Sequence, residues 1–383
     1  MTRNISLPLR FITGATFAIA LLQPAVRAEI SITLQNDFIE HYKGRATIDT
    51  DYVVDKAHKK ANPPEKDGDL HIAGRAEAVK LPIVAEIMNA ADDKPAVDSI
   101  HQIEGTGRTI PLAGFWRIWC EHGGNSQQIQ GEELEPFNTT NPPHVFEIHP
   151  ITSLKGRSLL HTLKPIEGFE TKDAHDAFTK YEGLRSTIIP RNDTTTIVTS
   201  MAGYNYVEFI MEINSDSVYT DDGRMVFAKV LDLEGELLVH NRRMVMVKDS
   251  EVEVKTRQKP RGTRVHVIGL PRIDLALVAW RTKAASEGRS EVLTWTLPYE
   301  IIVAGFYEFA ESDEEPMERA IGRSDSTRSR PTPRRLSPAE VDRIRMPMGP
   351  ESDGNPDRSR RSPNRRDEEP AEPRRRSSSA NPR

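Results

Sequence analysis

At 383 residues the chain has room for two or three domains. Its formal charge of −5 is unevenly placed: three arginines lie in the first 28 residues, and residues 311–383 hold 17 arginines against 15 acidic residues, which leaves −10 on residues 29–310. That acidity argues against nucleic acid as a partner of the folded region, since affinity for phosphate backbones comes mostly from Lys and Arg, and a single cysteine, Cys120, excludes an intramolecular disulfide.

The chain begins with MTRNISLPLR, continues through the apolar run FITGATFAIALL and reaches Ala25-Val26-Arg27-Ala28. Two basic residues, a short apolar stretch and small residues at the −3 and −1 positions predict a signal peptide over 1–28. The run is short for a bilayer span and no later segment is apolar enough, so the expectation is an exported protein, periplasmic or extracellular, with no membrane span after cleavage.

Next comes a module that is written twice. In NDFIEHYKGR, Asn36 or Asp37 can cap a helix, Phe38 and Tyr42 share one face, and Gly44 can close the end. Strand patterns follow at Asp51–Val54, Leu70–Ala73, Ile83–Met88, Thr109–Trp119 and Val145–Ile151. The second copy repeats the plan with a helix in KDAHDAFTKYEG and strands at Tyr204–Ile213, Met225–Leu231, Glu236–Val247, Thr263–Trp280 and Leu297–Tyr307. GRTIPLAGFWRI (107–118) lies over GTRVHVIGLPRI (262–273) with every pair 155 positions apart, and Asp67-Gly68 falls on Asp222-Gly223 at the same offset. Phe146-Glu147-Ile148 meets Tyr299-Glu300-Ile301 at 153, and HYKGRATI resembles KYEGLRSTI. Matches in one order at nearly constant spacing argue for duplication.

Five short strands after a helix, with glycines inside long strands where a barrel must bend, predict an α+β fold that is mainly β: two tandem OB-like modules, 29–155 and 173–310, joined by a linker over 156–172. An immunoglobulin-like sandwich is the alternative, although it normally needs about seven strands. Beyond Phe309 there is no aromatic residue, and Arg, Ser, Pro and Glu dominate, so 311–383 is expected to be disordered, with a short helix start at Ser337-Pro338-Ala339-Glu340.

The phrases DGDLHIA (67–73), VAEI (84–87), GFWRIWCEHGG (114–124) and PHVFEIHP (143–150) give the first copy a further likeness. It resembles poorly characterised exported bacterial proteins with an OB-like barrel, over about residues 65–152. The resemblance implies fold and export and brings no activity.

PHVFEIHP poses the question of a site. In a strand, Glu147 and His149 share one face while His144 turns to the other, so the two histidines cannot meet at one ion within a regular strand. The alignment puts Ile302 at the place of His149 and Val226 at that of His71, which favours histidines filling half-buried positions. The sharper reading is a ligand pocket in the first copy, with Asp69, His71, Trp116, Glu121, His122 and His149 as candidates. His71 and His149 would then hold Zn²⁺ or act as bases, although no compact ligand spacing such as HExxH appears.

Arg117 with Glu147 and Arg272 with Glu300 occur in both copies and are read as structural ion pairs. Cys120 reads as a small buried hydrophobe, and Lys255–Arg261 as an exposed basic loop. P-loop, dinucleotide GxGxxG and GxSxG signatures are absent. The expected function is therefore a non-enzymatic exported protein that binds a protein, glycan or small ligand and needs no cofactor. The alternative is a metal-dependent hydrolase or nuclease, using zinc, with its site in the first module.

Overall fold

The two halves of the chain repeat one strand plan. The computed structural model describes residues 29–124, 127–203, 205–286 and 294–310; the expected leader and the expected disordered tail lie outside them. The first half runs β1 (Glu29–Gln35), α1 (Asn36–Tyr42), β2 (Thr47–Ala57), β3 (Leu70–Ala76), β4 (Ile83–Ile87), α2 (Lys94–Ile103), β5 (Thr109–Ile118), β6 (Gln127–Ile129), β7 (Phe146–Leu154) and β8 (Arg157–Ser158). The second runs α3 (Ala174–Gly183), β9 (Arg185–Pro190), β10 (Thr194–Ser200), β11 (Val207–Ile213), β12 (Val218–Tyr219), β13 (Gly223–Leu231) and β14 (Leu237–Val247). It closes with α4 (Glu251–Thr256), β15 (Arg264–Ile273), α5 (Leu275–Ser286), β16 (Thr294–Thr296) and β17 (Tyr299–Ala310).

In the first half β2, β3 and β4 form an antiparallel meander, β5 pairs with β2 and β7, and β7 closes the barrel by running parallel to β4. In the second half β11, β13, β14, β15 and β17 repeat these pairings, including the parallel closure of β14 on β17. A helix follows the third barrel strand in each, α2 in one and α4 in the other. This is the OB strand plan, present twice, and the sandwich alternative falls.

A third sheet, in the order β16-β9-β10-β1-β6, draws strands from both halves and was not foreseen. Ile30, Ile32 and Leu34 alternate inward along β1, and Thr195, Ile197 and Thr199 along β10. The β9–β10 hairpin also explains a shift in spacing: Tyr42 to Tyr181 is 139 positions, whereas Gly114 to Gly269 is 155. Residues 156–172 between the halves carry β8 and bury Leu159, Leu163 and Ile166.

The strand expected over Thr263–Trp280 ends at Ile273, and α5 replaces its second half. Asp274 is the reason: its carboxylate accepts from the Leu277 amide at 2.8 Å and so caps a run of good helix formers. Helices α2 and α4 were also missed, although Asp93 caps the first through the Ala96 amide and Ser250 caps the second through the Glu253 amide. Among the described residues no helix is long and apolar enough to cross a membrane.

The barrels meet through their fourth strands in a reciprocal pair of contacts. Arg117 Nε of β5 donates to the Pro271 carbonyl of β15 at 2.9 Å, and Arg272 Nη1 of β15 donates to the Trp116 carbonyl of β5 at 2.9 Å. Trp116 and Pro271 are themselves 155 positions apart, so each half makes the other's contact. Phe115, Ile268, Leu270, Val245 and Ile302 form the apolar layer between the barrels.

Candidate functional site

Sealed groups gather on the face of the first barrel that meets the second. The turn before β3 is built by Asp67, whose Oδ1 accepts from Asn62 Nδ2 at 2.8 Å and from the Asp69 amide at 3.0 Å, while Gly68 takes a positive φ of 69° that suits glycine. Asp69 is thereby directed inward and is fully buried. Glu86 comes from β4 and His149 from β7, also buried, and Tyr206 arrives from the second half just before β11.

His149 is held on both ring nitrogens. Nε2 lies 3.1 Å from Asp69 Oδ2 and 2.7 Å from the Tyr206 hydroxyl, which itself donates to Asp69 Oδ2 at 2.8 Å. Nδ1 lies 3.4 Å from Glu147 Oε2 and 3.5 Å from Glu86 Oε2. Burial acts to lower the His149 pKa, but Glu86, Asp69 and Glu147 overcome it and raise it to about 10. His71 is raised to about 9 in the same way, with Glu86 and Asp67 outweighing burial. Burial pushes the Asp69 carboxyl up to about 6, with His149 opposing. Burial also acts to raise Glu147, yet the Arg117 guanidinium holds it well below the usual carboxylate range.

His71 and His149 do not share one ion-sized space. The donors that lie within 4.8 Å of one another are Asp69, Glu86 and His149; His71 is outside this set, with its Nε2 3.6 Å from Glu86 Oε2. Glu86 thus stands between the two histidines. Glu86, within VAEI, and Tyr206 were not among the expected site residues. A usable signal was there, because Glu86 is a carboxylate inside a five-residue strand buried throughout.

The remaining candidates separate. Glu121 lies 3.4 Å from Arg117 Nη2, and His122 stacks on His144 with ring centroids 5.1 Å apart. His144 precedes β7, so strand alternation does not govern it, and its Nε2 comes within 3.5 Å of Glu147 Oε1. Trp116 is no stacking platform: it is buried, its Nε1 donates to the Arg45 carbonyl at 2.9 Å, and the Arg272 guanidinium covers its ring at 3.6 Å. Arg117 pairs with Glu147 at close range, and Arg272 Nε with Glu300 Oε1 at 2.7 Å, so each repeated pair forms within its own barrel. Glu300 also holds Arg243.

Strand register revises the repeat alignment by one residue in the second barrel strand. His71 sits opposite Glu86, and Met225 sits opposite Val245. Val245 also neighbours Ile302, as Glu86 neighbours His149, because Ala85 pairs with Ile148 and Met244 with Ile301. The counterpart of His71 is therefore Met225, which faces the apolar layer, whereas Val226 faces the barrel core. Met225, Val245 and Ile302 pack together where the first barrel has His71, Glu86 and His149.

Cys120 is buried and its thiol is pushed up by burial to about 12. Native protein is expected to leave a thiol reagent such as DTNB unreacted at pH 8, and to release one equivalent of chromophore only on unfolding. Fast reaction of the folded chain would contradict this burial.

Solvent reaches a different place. A cleft of about 570 Å³ in the second half lies between Ser215, Asp216, Ser217 and Tyr219, on the loop joining its first two barrel strands, and Arg257, Gln258, Lys259, Pro260 and Arg261. The basic stretch at 255–261 is thus divided between the end of α4 and the loop before β15. Tyr219 is 51% exposed and its hydroxyl donates to the Arg257 carbonyl at 2.9 Å. Arg261 pairs with Asp216 at 3.0 Å, and Lys259 Nζ stands 4.3 Å from the centroid of Phe309, itself 40% exposed.

The fold defines an OB-type barrel protein. No family model matches the chain, and no curated protein does. Among solved structures it is similar to a deletion mutant of the single-stranded DNA binding protein from Thermus aquaticus, at 12% identity over 71% of this chain and 96% of that one, with a TM-score of 0.19. The expectation that set nucleic acid aside is corrected, since charge summed over a whole folded region does not fix the potential of a single cleft, and Arg257, Lys259 and Arg261 line this one. Likeness at this level carries no ligand across.

Proposed function

We propose that the chain is an exported, non-enzymatic binding protein that takes an anionic, ring-bearing chain such as single-stranded nucleic acid in the cleft of its second barrel. The observation that carries this reading is the cleft beside the loop joining the first two barrel strands, where Tyr219 stands among Arg257, Lys259 and Arg261, with Phe309 next to it against Lys259. OB barrels bind oligonucleotides and oligosaccharides on a face bordered by that loop, and bases stack on aromatic rings at about 1–3 kcal/mol each. In the first barrel Asp69 and His149 have no solvent contact, so that cluster does not open to a substrate.

Arg257 is already held by Glu253 and Asp249, and Arg261 by Asp216, so affinity should be modest and salt-dependent. Fluorescence anisotropy with a labelled thymidine oligonucleotide at low ionic strength is the test. Binding should weaken as salt rises, and Tyr219→Ala with Lys259→Glu should reduce affinity at least about ten-fold. No binding at low salt, or equal affinity in the variant, would sink the reading. For export, N-terminal sequencing of protein recovered outside the cytoplasm should begin at Glu29.

A further inference from the structure

We propose that Asp69, Glu86 and His149 form a buried site for one divalent first-row metal ion at the joint between the two barrels. Their donor atoms lie within 4.8 Å of one another. An ion with bonds of about 2.0–2.2 Å sets its ligands roughly 3–4 Å apart, so small side-chain adjustments bring all three onto one centre. Two of the oxygens, Asp69 Oδ1 and Glu86 Oε2, are buried without a hydrogen-bond partner among the described residues. Such atoms are costly in a closed interior unless something positive meets them.

Charge points the same way. The sealed region contains the carboxylates of Asp69, Glu86 and Glu147, the guanidinium of Arg117 and the imidazoles of His144 and His149. Arg117 neutralises Glu147, with which it pairs. Without an ion the other two face the imidazoles of His149 and His71; a divalent ion would displace the proton from His149 and take over that role. Carboxylates also face both nitrogens of His149, so whichever nitrogen takes the ion, the other keeps a carboxylate to orient the ring, as metal-bound imidazoles commonly require.

The duplication shows that barrel closure does not require Glu86 or His149. The second barrel closes by the same pairings with Met225, Val245 and Ile302 at the places of His71, Glu86 and His149. An ionisable cluster that the sister barrel replaces with apolar side chains is not a fold requirement, which leaves its buried charges to be explained by something they bind. One imidazole with two carboxylates suits Zn²⁺, Mn²⁺ or Co²⁺, and the Tyr206 hydroxyl, 2.8 Å from Asp69, ties the ion's surroundings to the second half. With no exposed ligand, the ion would enter as the barrels close and act as a clamp.

The test uses the full chain, unfolded in guanidinium with EDTA, refolded with excess Zn²⁺, Mn²⁺ or Co²⁺, gel-filtered and analysed for metal. About one ion per chain is expected with at least one of the three, together with a rise in Tm that the Glu86→Val/His149→Ile variant lacks. Visible d–d absorption of the Co²⁺ form should disappear in the same variant. If that variant does not fold, Glu86→Gln keeps the volume and should still lose the ion. Folded wild type holding under a tenth of an equivalent after all three refoldings overturns the proposal. So does an ion retained equally in the variants, and His175→Ala would then test the exposed group Asp173, His175 and Asp176 as its true holder.

Discussion

Replacing Arg272 with methionine should cost about 3–5 kcal/mol of folding stability, the range for removing one partner of a buried ion pair. Arg272 is fully buried and makes five contacts at once. Its Nε donates to Glu300 at 2.7 Å, its Nη atoms donate to the carbonyls of Ala46, Trp116 and Arg45 at 3.0, 2.9 and 3.1 Å, and its guanidinium covers the Trp116 ring. Methionine fills much of the volume but removes this donor from the Ala46 and Trp116 carbonyls, while the Arg45 carbonyl keeps Trp116 Nε1. Part of the charge cost is softened, because Arg243 still meets Glu300. Urea unfolding followed by tryptophan fluorescence checks this. A loss below about 1 kcal/mol would mean that the barrels are held by their apolar layer alone.

The second large effect concerns two glycines that the repeat places at one position. A Cβ on Gly114 would lie 2.6 Å from Ile148 Cγ2 and 2.7 Å from the Pro150 carbonyl, and one on Gly269 would lie 2.7 Å from Ile301 Cγ2 and 2.8 Å from the Ile302 carbonyl. The obstacle is partly backbone of the neighbouring strand, which cannot move without opening the barrel. Gly114→Ala and Gly269→Ala should each cost about 3 kcal/mol, at the upper end of overpacking. Gly183 supplies the contrast: it ends α3 with nothing within 4 Å of an added Cβ, so alanine there should stabilise by about 0.5–1 kcal/mol. Thermal melts of the three variants decide it. Equal behaviour at Gly114 and Gly183 would remove the close-approach account.

These glycines show what the sequence could disclose. Their spacing, with the repeated Arg and Glu, revealed two barrels because close strand approach admits only glycine and a buried ion pair needs both partners. β1 was hidden because its pairing with β10 joins distant parts of the chain: Ile32 lies beside Ile197, whereas β9 and β10 form a local hairpin. Nothing local announces such a partner. α5 was lost for a different reason, since LALVAWRTKAAS has little polar alternation and its start depends on Asp274, which also answers Arg243 at 2.7 Å. At the site, DGDLH and EIHP drew attention to Asp69, His71 and His149. Glu86 escaped because its partners come from β3 and β7, and Tyr206 because it belongs to the other half. Trp116 misled, as ring exposure is decided by what packs over it.

The crossed arginine contacts have a consequence for how such a molecule can change. Two separate copies of one gene product, packed about a true two-fold, would receive every substitution twice, so a buried carboxylate would be imposed on both sides of the joint together. In a tandem chain each half mutates alone. One side can keep Met225, Val245 and Ile302 as an apolar foundation while the other accumulates His71, Glu86 and His149. Fusion turns a symmetric joint into a scaffold on which one side is free to specialise.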